Sequence, residues 1–74
     1  MIFDLVKRSV IINKQKTSVS LEDPFWEALT EIAVATGKSK SALVAEIDKA
    51  RAGRGNLSSA TRMFVLEYYR SRLR

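Results

Sequence analysis

Lys16-Thr17-Ser18-Val19-Ser20-Leu21 alternates strictly along its length. Successive side chains of an extended chain point to opposite faces, so Thr17, Val19 and Leu21 share one face and Lys16, Ser18 and Ser20 the other. Such alternation marks a half-buried strand. Nearly everything after it reads as helix, which leaves few strand partners within the chain. A lone strand or an isolated hairpin is marginal in water. The strand is therefore expected to pair antiparallel with its copy in a second chain. Its apolar face would cover a shared helical core, and its polar face would be free to meet something else.

A chain of 74 residues makes one domain. At that size it buries roughly 60% of its unfolded surface, which favours a core shared between subunits. Cys and His are both absent. No disulfide framework or thiolate metal site is available. The commonest metal ligand and the commonest general base are missing too. No metal, no cofactor and no enzymatic activity are expected, and a reduced, cytoplasmic setting fits. Runs such as Val10-Ile11-Ile12 and Met63-Phe64-Val65-Leu66 are far too short to span a bilayer. Met1–Val6 lacks the basic start and cleavage site of a signal peptide.

Thirteen Lys and Arg against eight Asp and Glu give a net charge of +5, which favours a polyanionic partner. The charges are also segregated. Residues 7–16 carry only Lys7, Arg8, Lys14 and Lys16, whereas residues 22–31 carry only Glu22, Asp23, Glu27 and Glu31. Two further basic groups lie around Lys38–Arg54 and Arg62–Arg74.

Upstream of the opening strand, Arg8-Ser9-Val10-Ile11-Ile12 holds strong β-formers, and Asn13-Lys14-Gln15 can turn. A turn centred on Lys14-Gln15 would oppose Ile12 to Thr17, Ile11 to Ser18 and Val10 to Val19. The apolar faces of the two strands then agree. The alternative is an extended basic arm, residues 1–15, leading into a strand at 16–21. Residues 1–6 are too short to form an element alone.

Three helices follow. Asp23 is a natural N-cap and Pro24 suits a first helical turn, so a helix is expected over 24–36. Phe25, Leu29 and Ile32 set its apolar stripe, with Trp26 and Ala33 beside them. That spacing places Trp26 in the core in preference to a ligand-stacking role. Gly37 ends this helix, and Ser39 caps the next, over 39–51, whose apolar side is Leu43, Ile47 and Ala50. Arg51-Ala52-Gly53-Arg54-Gly55 breaks the chain. Asn56 or Ser58 then caps a third helix over 57–72. Met63, Val65, Leu66 and Tyr69 widen its stripe beyond Leu57, Ala60, Phe64 and Tyr68, so it wants burial on more than one side. Another subunit is the simplest cover. The expected dimer core is Val19, Leu21, Trp26, Leu43 and Phe64.

No constellation supports catalysis. Ser39-Lys40-Ser41 is the one Ser/Lys cluster, and lysines at a helix start are usually solvated, not buried as a dyad needs. Gly37-Lys38-Ser39 lacks the upstream glycine and preceding strand of a phosphate-binding loop. The strand offers more. A two-stranded ribbon can enter the DNA major groove and present side chains to base edges. Lys16, Ser18 and Ser20 have the period for that. Free N–H groups at a helix start attract phosphate, and Lys38 and Lys40 flank Ser39.

These segments resemble the ribbon-helix-helix (Met-repressor-like) superfamily of bacterial DNA-binding proteins. The resemblance lies in Lys16–Leu21, the helix after Asp23-Pro24, and Gly37-Lys38-Ser39-Lys40-Ser41-Ala42. Lys7-Arg8-Ser9-Val10, Phe25-Trp26, Ala42–Asp48 and Asn56–Ala60 bring the chain closer still to a family of small bacterial ribbon-helix-helix proteins. The resemblance implies a mostly α fold with a short β-ribbon, one helix beyond the minimal pattern, and an intertwined homodimer with intermolecular antiparallel strands. It implies a transcriptional regulator in which Lys16, Ser18 and Ser20 face bases. Lys38, Ser39, Lys40 and Ser41, with Arg8, would contact phosphate. Asn56-Leu57-Ser58-Ser59 also resembles a second-helix start, which would move the clamp to Ser58 and Ser59. A protein-interaction or dimerisation module on the same fold is the alternative.

Overall fold

A computed structural model describes residues 4–73. Met1–Phe3, from the apolar start, and Arg74, from the last basic group, lie outside the described residues. Two strands, β1 (Leu5–Ile12) and β2 (Gln15–Glu22), precede three helices: α1 (Asp23–Thr36), α2 (Lys40–Arg51) and α3 (Leu57–Arg72). The result is a β-ribbon with three helices packed on one face, one more than the two helices of the minimal pattern.

The expectation of few strand partners is corrected. β2 pairs antiparallel with β1 of its own chain, from Leu5↔Glu22 to Ile12↔Gln15. The turn is Asn13-Lys14, one residue earlier than the sequence reading placed it, with φ of 51° and 66°. Both residues are left-handed, as a two-residue hairpin turn that matches strand twist requires. Asn tolerates that region better than Gln, which explains why the turn starts at Asn13. The register therefore differs from the expected one: Val10 opposes Thr17, Ile11 opposes Lys16, and Ser18 opposes Ser9. The difference amounts to two residues, so each side chain keeps its face.

Val10, Ile12, Val19 and Leu21 form the inner face of the ribbon and are buried. Beneath them pack Leu29, Ile32 and Ala33 of α1, Leu43, Val44 and Ile47 of α2, and Val65 of α3. Thr61 is the buried polar side chain of α3, and its hydroxyl donates to the Leu57 carbonyl at 2.8 Å. Val19, Leu21 and Leu43 are 0%, 0% and 2% exposed within one chain. These residues of the expected dimer core thus belong to the core of a single chain. Trp26 and Phe64 are half-buried against it.

The helix ends follow local chemistry. Gly37 closes α1 in the left-handed region at φ 69°. Asp23 is not the N-cap of α1; the helix begins at Asp23 itself, after Glu22, and no side chain caps it. Ser39 caps α2 by accepting the Ala42 N–H at 3.0 Å, and Asn56 caps α3 by accepting the Ser59 N–H at 2.8 Å. The expected double burial of α3 is met on one side only. Met63 and Leu66 remain 64% and 48% exposed. Met63 also lines a shallow groove of about 490 Å³ with Ile47, Ala50, Ala60 and Phe64, and with Arg51 and Glu67. Among the described residues no helix is long and apolar enough to cross a membrane.

The strained turn gives a direct stability test. Lys14→Gly removes a left-handed penalty of about 1 kcal/mol and returns part of it as unfolded-chain entropy. Chemical denaturation should show a net gain of roughly 0.5 kcal/mol. A loss of stability would contradict the assigned turn.

Candidate nucleic-acid interface

The ribbon buries Val10, Ile12, Val19 and Leu21, so its period of two sends the intervening residues outward. The outer face consists of the cross-strand pairs Lys7↔Ser20, Ser9↔Ser18 and Ile11↔Lys16, with Leu5↔Glu22 at the far end. Lys7, Ser9, Ile11, Lys16 and Ser18 are exposed, and Ser20 is half-buried. All three residues expected to face bases, Lys16, Ser18 and Ser20, thus share this face. Lys7 and Ser9 join them, which the sequence reading left unassigned. Their alternation with Val10 and Ile12 carries the signal, and the register sets each opposite an outward residue of β2. Lys7 and Lys16 sit at diagonal corners. Lys16 opposes Ile11, four residues along β1 from Lys7, which is about 13 Å at strand rise.

The residues expected to grip phosphate are deployed differently. Arg8 turns to the inner face and forms an ion pair with Asp23, with its guanidinium 5.1 Å from the Trp26 ring centroid. Lys40 lies over the same ring at 4.5 Å. Lys38 pairs with Glu46 at 2.8 Å. Ser39 holds its cap, and the Ser41 hydroxyl accepts the Ile11 N–H at 3.2 Å. The structure therefore gathers Lys38, Ser39, Lys40 and Ser41 at the start of α2, against the outer edge of β1. Arg8 it commits elsewhere.

The start of α3 repeats this arrangement at the opposite edge. Ser58 Oγ accepts the Ser20 N–H at 2.9 Å, so the first turn of α3 abuts β2. In each helix the cap residue holds the first turn while the serine two positions later bonds the ribbon. Ser59 stays exposed. The two starts thus bracket the hairpin, and each brings the positive end of a helix dipole to a ribbon edge. The Ser58 bond also occupies one outward N–H of β2 that a second strand would need.

Most acidic residues are paired on the helical side. Arg62 Nε donates to Glu22 at 3.2 Å, and Tyr69 donates to Glu31 at 2.8 Å. The Glu22 carboxyl is held below the ordinary carboxylate value. The hydrogen bond from its own backbone N–H contributes most, desolvation opposes it, and Arg62 adds to the lowering. The Tyr69 hydroxyl is pushed up, first by its bond to Glu31 and then by desolvation. With Asp23 paired to Arg8 and Glu22 to Arg62, the outer face from Lys7 to Lys16 presents lysines, serines and Ile11.

A β-ribbon with helices on one face, whose starts abut its two edges, defines a class of small single-domain proteins. The sequence profile of the ribbon-helix-helix domain matches residues 5–69, and the chain belongs to that family. No curated protein and no solved structure matches the chain.

Glu22 supplies a pH test. A carboxyl with a lowered folded pKa contributes stability that is fully present above its unfolded value, near 4.5, and is lost as pH falls through the folded one. The melting-temperature difference between the native chain and Glu22→Gln should therefore shrink as the buffer is acidified below that value. A difference that grows on acidification would contradict the lowered pKa.

Proposed function

We propose that this chain binds duplex DNA and regulates transcription by placing the outer face of its ribbon in the major groove. The observation that carries this reading is the ribbon itself: two strands wide, polar and basic outside, with a helix start at each edge. Two strands span a width that the major groove admits. Lys16 is suited to guanine O6 and N7, and Ser18, Ser20 and Ser9 donate to or accept from base edges. Lys7, with Lys40 near the start of α2, supplies charge for the phosphates. The first amides of α2 and α3 left uncapped by Ser39 and Asn56 lie at the two ribbon edges. Base contacts would choose the site and phosphate contacts would set the register.

The same reading takes the chain as a homodimer in the cytoplasm of a bacterium, in keeping with the family resemblance and the absence of Cys. One edge of β2 is filled by β1, and Ser58 takes the Ser20 N–H at the other. We therefore place the subunit contact at the uncovered side of α3, where Met63 and Leu66 are exposed. Leu66→Glu should then shift sedimentation from dimer to monomer without unfolding the chain. A dimer that persists in that variant would remove α3 from the interface.

The DNA reading is tested by substitution on the ribbon. Lys16→Ala with Ser18→Ala and Ser20→Ala should reduce sequence discrimination by about 1–3 kcal/mol per lost contact in gel-shift titrations. Lys7→Ala should weaken all duplexes alike and flatten the salt slope by about one unit. Wild-type discrimination in the triple variant would contradict base reading. If the native chain shows no salt-dependent shift of duplex DNA at low ionic strength, the fold serves as a protein-interaction module instead.

A further inference from the structure

Ile11 stands apart on the outer face. Its neighbours there are Lys7, Ser9, Lys16, Ser18 and Ser20, all polar, whereas Ile11 is aliphatic and 56% exposed. Leu5 is also apolar and outward. It stands at the far end of the ribbon opposite Glu22, not opposite a lysine. Ile11 instead opposes Lys16, and no acid stands in the outward pairs between Lys7 and Lys16.

The position of Ile11 is also fixed. Its backbone N–H donates to Ser41 Oγ at 3.2 Å, which ties this point of β1 to the start of α2. That bond points outward from the ladder, so Ile11 and Lys16 form a pair without mutual backbone hydrogen bonds. Such pairs bring their Cα atoms to about 4.5 Å and their side chains into contact. A base step is about 3.4 Å long. The two side chains therefore reach the same base pair or adjacent ones.

Ile11 can neither donate nor accept a hydrogen bond. What the major groove offers to such a side chain is the C5-methyl group of a pyrimidine, which in unmodified DNA is thymine. Resting on the DNA reading above, we propose that Ile11 is a specificity-determining residue that packs against a thymine methyl, one base step from the guanine met by Lys16. The recognised element then contains adjacent guanine and thymine on its exposed major-groove edge. Its recognition is half hydrogen bond and half apolar contact.

The test begins with selection of a preferred duplex from an unmethylated random library by the full-length chain. Each thymine of the selected duplex is then replaced by uracil, which removes the C5-methyl group alone. One replacement beside a guanine should weaken binding about fourfold, the worth of burying one methyl-sized group. Ile11→Ser should bind the thymine and uracil duplexes equally, while Ile11→Val should keep the preference. Circular dichroism checks that both variants fold. The proposal is overturned if the native chain ignores every uracil replacement, or if Ile11→Ser stays sensitive to it. It is also overturned if Ile11→Ser changes only the association state in sedimentation. These results leave the DNA reading standing when the native chain still selects a sequence. Failure to bind any duplex removes both.

Discussion

Val19 and Leu21 are completely buried, and the period of an extended chain then leaves Ser18 and Ser20 no choice of face. The rest of the structure depends on this constraint. The core needs the apolar side of β2, so the polar side is delivered outward in fixed register. β1 extends the same division, with Val10 and Ile12 inside and Ser9 and Ile11 outside. A slip of one residue would exchange every side chain between core and solvent, and the buried face forbids it. The surface assigned to DNA is thus held in place by the hydrophobic cost of moving it.

The helices do more than cover the ribbon. α2 and α3 each begin at one of its edges and each uses a serine to bond an outward backbone N–H. Exposed strand edges invite pairing with other chains, and these bonds take up one outward N–H on each edge. They also set two positively polarised helix ends beside the ribbon. One arrangement therefore protects the sheet and places electrostatic attraction where the phosphate backbones of a groove-bound duplex would run. The ion pairs of Glu22 and Asp23 with Arg62 and Arg8 keep those carboxylates from opposing that attraction.

Much of this was legible in residue order. The alternation of Lys16–Leu21 gave the two faces, and the Ser39 and Asn56 caps gave two helix starts. The turn was read one residue late because Asn13-Lys14 lacks the glycine that usually marks such turns. Arg8 was assigned to phosphate by its charge, although its spacing from Val10 and Ile12 already put it on the inner side. There Asp23 and Trp26 receive it. Sequence pattern says that Val19, Leu21 and Leu43 are buried but not by which chain. With three helices where the minimal pattern has two, the chain itself supplies part of the cover that was expected from a partner. The spacing from Val10 and Ile12 already put Lys7 and Ser9 on the outer side, and the register sets them opposite Ser20 and Ser18.

The central claim is that the outer face of the ribbon is the surface that meets DNA. The most direct measurement is a titration of isotopically labelled protein with duplex DNA, followed residue by residue in backbone amide spectra. The account predicts the largest changes at Lys7, Ser9, Ile11, Lys16 and Ser18, with a second set in the first turns of α2 and α3. Changes confined to α1 and the Met63–Leu66 side of α3, with the ribbon amides unmoved, would contradict it.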